Sequence, residues 1–191
     1  NASTFDFNNI NHISNKNIDT LFKVNVIGHL ILSKYCLNII NNNNNFGAIL
    51  FNSPPYFIDD KTTYLLPYMQ SKLAQTTLMK SISNANLNNN SIVSSFWNYY
   101  PLSTDSFITN LDNCMNPSIL SKTLEILLFH IKVPTYYNSK IIIDHDFLID
   151  NGYDINTFKI NKNNLDLLSF DDTFFKFIIK NKNIKFKKKL F

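Results

Sequence analysis

The chain has 191 residues, 45% of them hydrophobic, and a net charge of +4, which is enough apolar material for one domain with a real core. No apolar run reaches the roughly 18 residues that a membrane span needs; the longest, Ile119–Ile131, is interrupted by Lys122, Glu125 and His130. Every basic residue is a lysine, so no guanidinium fork is present to read bases or grip phosphates, and a nucleic-acid partner is not expected.

Residues 1–15 are polar and turn-like. From Asn17 the apolar positions Ile18, Leu21, Phe22, Leu30, Cys36, Ile39 and Ile40 recur at helical spacing, until the asparagine run Asn41–Asn45 ends the pattern. Ala48–Phe51 is a compact apolar stretch stopped by Pro54 and Pro55, as suits a buried strand. Pro67 opens a second helix that runs to about Ser83. Ser91–Trp97 reads as a strand, and residues 98–116 as irregular. A third helix follows Asn116-Pro117 and stops at Val133-Pro134. Lys140–Asp144, rich in isoleucine, is a further strand, and residues 145–160 are expected to wrap the sheet edge.

Alternation of helix and strand calls for parallel strands joined by crossover helices, an α/β architecture with both sheet faces covered. Beyond Asn161 the chain becomes basic and aromatic, with seven lysines in residues 176–191 and Phe170, Phe174, Phe175 and Phe177 before them or among them. This reads as a loosely ordered, solvated tail rather than a nucleic-acid or membrane-contacting one. The asparagine excess reads as compositional bias. Cys36 and Cys114 form neither a disulfide framework nor a metal set, and Cys36 falls in the amphipathic pattern as a buried thiol. None of His12, His29, His130 and His145 is paired at metal-ligand spacing, so no metal is expected.

The chemistry lies in Tyr68-Met-Gln-Ser-Lys72 at the start of the second helix, where residues four apart share a face. A tyrosine hydroxyl normally has a pKa near 10, and an ammonium beside it favours the phenolate. Tyr68 could then exchange a proton near neutral pH. Tyr136 and Lys140 repeat the spacing, but they fall in the turn before a strand.

Asn25-Val-Ile-Gly-His, Gly47-Ala-Ile-Leu-Phe-Asn-Ser53, Tyr68-Met-Gln-Ser-Lys72 and Leu102-Ser-Thr104 stand in an order and spacing that resembles the short-chain dehydrogenase/reductase family. The double proline Pro54-Pro55, Phe96-Trp97 and the segment Ile141–Gly152 are most similar to the hydroxysteroid dehydrogenase-like protein 2 subgroup. The resemblance covers residues 1–160 and implies the later part of a Rossmann-type, doubly wound parallel domain, lacking its first βαβαβ half, with 161–191 as the tail. It implies an NAD(P)-dependent oxidoreductase acting on a carbonyl or alcohol of an apolar or lipid-like small molecule. Tyr68 would be the acid/base, Lys72 its partner and a hydrogen-bond donor to the nicotinamide ribose, and Asn25 the residue that holds a relay water. Ser53 would orient substrate, although an ungapped alignment puts Pro54 at that place. Asn1 and Ala2 would pack against the cofactor and Thr104 would contact it.

The family's glycine-rich phosphate loop is not found in residues 1–191, and Asn98-Tyr99 replaces its usual Pro-Gly. By itself the chain is therefore expected to be inactive and to bind neither NAD nor NADP measurably. The alternative is a non-catalytic Rossmann module used for binding or oligomerisation, because the helices bearing Asn25 and Tyr68 commonly form a dimer interface in this family. The sequence itself does not give the compartment; the resemblance implies an intracellular one, mitochondrial or peroxisomal.

Overall fold

In a computed structural model of the chain, residues 3–6, 8–42, 46–55, 66–86, 91–100, 102–103, 115–130 and 134–159 are described. They fall into two compact units, one of the described residues within 3–97 and 134–142 and the other of those within 98–130 and 143–159.

The first unit opens with one long helical stretch. Ser14 caps it, its hydroxyl accepting from the Asn17 N–H at 3.1 Å. Helix α1 (Asn15–Phe22) passes through a π-helical turn (Lys23–Gly28) into α2 (His29–Asn41), with right-handed helical backbone at both junctions. Strand β1 (Gly47–Asn52) follows. Gly47 permits a close approach here, since a Cβ at this position would meet Ile40 Cγ1 at 2.9 Å. Helix α3 (Leu66–Ala85) has Pro67 in its first turn, where a missing N–H breaks no helical bond. Strand β2 (Ser91–Trp97) is buried along its whole length.

The three-stranded parallel sheet has the order β1-β2-β3, with β3 at Ile141–Ile143. β1 and β2 pair from Gly47 opposite Ser91 to Asn52 opposite Phe96. The third strand is entered through a short helix α4 of this unit (Pro134–Tyr137) and a turn at Ser139, whose φ is 63°. Ser139 N–H donates to Val93 O at 2.8 Å, and Asn138 Oδ1 takes the Val93 N–H at 2.9 Å. Between α3 and the sheet sit Phe51, Met79, Ile82 and Val93, with Leu37, Ile49, Leu78 and Ile141 packed against them. This is an α/β fold with the parallel sheet of a partial Rossmann domain.

In the second unit, helix α5 (Ser118–Glu125) runs into a π-helical turn (Ile126–His130) and buries Ile119, Ile126 and Leu127. Helix α6 (Asp144–Asp150) buries Phe147 and Leu148 and is followed by a 3-10 turn (Ile155–Phe158). Met115 is fully buried, bridging Leu102 on one side and Lys159 on the other.

The structure departs from the sequence reading at several places. Asp144 is the first residue of α6 instead of the end of a strand, and its carboxylate accepts the His145 N–H at 2.7 Å, one of the first-turn donors that have no partner within a helix. Residues 145–160 hold the rest of α6 and a 3-10 turn. Cys36 is only half-buried, because the face of α2 that carries its neighbours Tyr35 and Ile39 is exposed. The tail from residue 160 lies outside the described residues.

Candidate active site at the end of strand β1

Tyr68 and Lys72 lie one helical turn apart on α3. Lys72 is buried, and its Nζ donates to the carbonyl of Asn52, the last residue of β1, at 2.5 Å. The ammonium also stands 5.8 Å from the centroid of the Trp97 ring, at the end of β2. No carboxylate pairs with Lys72 among the described residues. Burial pushes its pKa down to about 8.

Tyr68 is half-buried, and its hydroxyl makes no hydrogen bond with another described residue. Its pKa is pushed up to about 12 by burial. The lowering expected from Lys72 is therefore not present in this arrangement. Burial alone raises it, and the Lys72 ammonium, itself desolvated and turned toward Asn52 O, adds no resolved attraction.

Asn25 sits fully buried in the π-helical turn. Its Nδ2 donates to Ser71 Oγ at 2.9 Å and to Thr4 O at 2.8 Å, while its Oδ1 accepts from Thr4 N–H at 2.9 Å and Ser3 Oγ at 3.2 Å. Every polar atom of the side chain thus has a protein partner. Asn25 ties residues 3–4 and α3 to the turn. Ser71 in its turn donates to Tyr68 O at 2.7 Å.

Ser53 follows β1 directly, its N–H bonded to Phe96 O at 3.2 Å. Its hydroxyl is completely buried without a hydrogen-bond partner. Pro54 is also buried, and its carbonyl accepts from Thr76 Oγ1 at 2.6 Å. Asn1, Ala2 and Thr104, the other residues expected at the cofactor, lie outside the described residues. Tyr136 and Lys140 flank the turn before β3, with the Lys140 ammonium 5.5 Å from the Tyr136 ring centroid and Tyr136 exposed. His29 is half-buried, and burial lowers its pKa. Among the described residues no group of three His, Cys, Asp or Glu side chains could hold a metal, and no helix is long and apolar enough to cross a membrane.

The sequence reading missed Ser71, Gln75 and Thr76. The signal was present: Ser71 and Gln75 are four apart on α3, as are Lys72 and Thr76. The first pair holds the π-helical turn, through Asn25 Nδ2 and Asn25 O, and the second pair holds the end of β1, through Asn52 O and Pro54 O.

No protein-family model and no curated protein matches the sequence. Solved structures do match. A short-chain dehydrogenase from Mycobacterium thermoresistibile superposes with a TM-score of 0.74 at 20% identity, over 87% of this chain and 62% of its own. A protein of Xanthomonas campestris assigned as a dehydrogenase gives 0.75 at 17% identity, over 85% and 61%. This is the fold of the short-chain dehydrogenases. A 4-hydroxyisoleucine dehydrogenase complexed with NADH matches at a TM-score of 0.57 and 17% identity, over 74% and 63%. The chain spans about three-fifths of the length of each of these structures. Nothing in them singles out the hydroxysteroid dehydrogenase-like protein 2 subgroup.

Proposed function

We propose that the chain is the later part of an NAD(P)-dependent oxidoreductase of the short-chain dehydrogenase/reductase family. The observation that carries this reading is the buried, carboxylate-free Lys72 ammonium, one turn after Tyr68 and held on the end of β1. A buried cation with only a carbonyl and an aromatic face for company is costly, and such perturbed groups gather at functional sites.

A nicotinamide dinucleotide fits the groups present. Tyr68 has a free hydroxyl, Lys72 has further N–H donors beyond the one on Asn52, and Ser53 has an orphaned buried hydroxyl. Tyr68 and Lys72 would hold its nicotinamide ribose, and the cofactor when bound supplies hydride exchange with a carbonyl or alcohol. Tyr68 moves the accompanying proton at its hydroxyl oxygen. Lys72, fixed by Asn52 O and Trp97, holds positive charge beside it, and Ser53 orients the substrate oxygen. The resemblance to the hydroxysteroid dehydrogenase-like protein 2 subgroup favours an apolar, lipid-like substrate.

The residues that would grip the pyrophosphate are not in this sequence, so the test uses the chain joined to whatever precedes it in the transcript. NADPH and NADH are titrated while cofactor fluorescence is followed. Binding at micromolar to sub-millimolar cofactor supports the reading, and none at millimolar cofactor sinks it. Tyr68→Phe should abolish turnover, a loss of at least 100-fold, and leave cofactor binding intact. Residues 1–191 by themselves should show no calorimetric binding of either dinucleotide.

A second reading, a non-catalytic module that self-associates, is favoured by one observation. Ile27, Ile31, Tyr35 and Ile39 form a stripe at four-residue spacing on the π-helical turn and α2, and they are exposed by 48%, 53%, 65% and 65%. A second copy of the chain, packed helix against helix, would cover it. Self-association through this face is compatible with either reading, since an enzyme can also dimerise there, so the dinucleotide titration is what separates them.

A further inference from the structure

Gln75 is completely buried and belongs to no part of the site predicted from sequence. Its Nε2 donates to the backbone carbonyl of Asn25 at 2.5 Å. The partner is an acceptor only, so the amide orientation is fixed. The π-helical turn widens the backbone ladder at this point, and such turns admit a side chain from a neighbouring element. Gln75 Oε1 has no protein partner among the described residues. A half-satisfied amide in a core is worse for stability than an apolar side chain of the same size. The residue is thus poorly explained by packing and well explained by what its nitrogen holds.

Two geometric facts connect that hold to Lys72. Gln75 and Ser71 grip the backbone and the side chain of one residue, Asn25, so they resist rotation of α3 about its axis. Lys72 projects from the next position on the helix and must land on Asn52 O, a contact that a small rotation would break. His29, whose pKa is lowered by burial and by the charge of Lys72, lies beside the amide with Nδ1 3.4 Å from Nε2 and 3.2 Å from Val24 O.

We propose that Gln75 is a positioning residue: by holding the Asn25 carbonyl it fixes the phase of α3 and places the Lys72 ammonium at the end of β1. The inference takes its functional use from the reading of Lys72 as the partner of Tyr68.

The test needs neither dinucleotide nor turnover. The 191-residue chain is prepared with isotope-labelled lysine side chains, and the Lys72 signal, assigned by its loss in Lys72→Met, is followed against pH by NMR. In the parent chain it should titrate well below the other lysines. In Gln75→Leu, folded by its far-ultraviolet dichroism, the midpoint should move about one pH unit toward theirs, roughly a tenfold change in proton affinity. Met79→Ala, a core cavity variant that does not touch Asn25, should leave the midpoint where it was. An unchanged Lys72 titration in folded Gln75→Leu overturns the proposal. If that variant does not fold, Gln75→Asn, one methylene too short to reach the carbonyl, is read by the same criterion. If neither folds, Gln75 serves global packing and the proposal fails. A failure here leaves the oxidoreductase reading standing, and a failure of the dinucleotide titration leaves this result standing.

Discussion

Asn25 and Ser71, 46 residues apart in sequence, share a 2.9 Å hydrogen bond in the buried space between the π-helical turn and α3. Through it the residue expected to assist catalysis becomes the tie between the N-terminal segment, the turn and the helix bearing Tyr68 and Lys72.

Truncating this tie should be expensive. Asn25→Ala removes partners from Thr4 N–H, Thr4 O, Ser3 Oγ and Ser71 Oγ at once. A buried polar group left alone costs about 1–3 kcal/mol; Ser71 is buried, while Thr4 is half-buried and Ser3 exposed, where water replaces part of what is lost, so a loss of roughly 1–3 kcal/mol is expected. Urea denaturation measures it. A loss below about 0.5 kcal/mol would show that the hydrogen bonds are not holding these segments together.

Stability should pass through a maximum near pH 10. Lys72 has a folded pKa of about 8 against 10.5 in the unfolded chain, so folding favours the neutral amine. Its contribution is full above pH 10.5 and is lost as pH falls through 8, an amount of roughly 3 kcal/mol. Tyr68 has a folded pKa of about 12 against 10, so its contribution is full below pH 10 and is lost as pH rises through 12. Unfolding free energies from pH 7 to 11 should therefore climb and then turn down. Lys72→Met should flatten the climb and Tyr68→Phe the descent. A climb that persists in Lys72→Met would assign it to other groups.

Asp144 organises the second unit. Its Oδ1 accepts from Tyr99 N–H at 2.8 Å and His145 N–H at 2.7 Å, and its Oδ2 accepts from Asn98 Nδ2 at 2.9 Å. Asp144→Asn keeps the first two bonds, and the third survives if the Asn98 amide turns over, so a cost below about 1 kcal/mol is expected. Asp144→Ala strands all three donors and should cost about 2–4 kcal/mol. Thermal unfolding of the two variants compares them directly, and equal losses would contradict the assignment.

The exposed stripe on α2 offers a test of self-association. Ile31→Asp with Tyr35→Asp should convert an associated chain to a monomer without loss of helicity, because both side chains are exposed in the single chain. Sedimentation velocity on the parent and the variant gives the answer. A parent chain that is monomeric at 100-fold the concentration used for the variant would remove the second reading.

The chain itself determined the order of the elements. Helical periodicity between Asn17 and Ile40, the apolar run ended by Pro54-Pro55 and the strand Ser91–Trp97 each carry a local pattern, and each was found within a few residues of its expected place. The spacing of Tyr68 and Lys72 was likewise legible, since four residues on a helix is a local quantity. Tertiary structure decided what that spacing means. Whether burial or the neighbouring ammonium governs Tyr68 depends on desolvation by segments distant in sequence, and burial prevails. That Asn25 is held by Ser71 and Gln75, and Lys72 by Asn52, follows from how α3 crosses the π-helical turn and the end of β1. Those contacts join residues 20 to 50 positions apart, and no local periodicity encodes them.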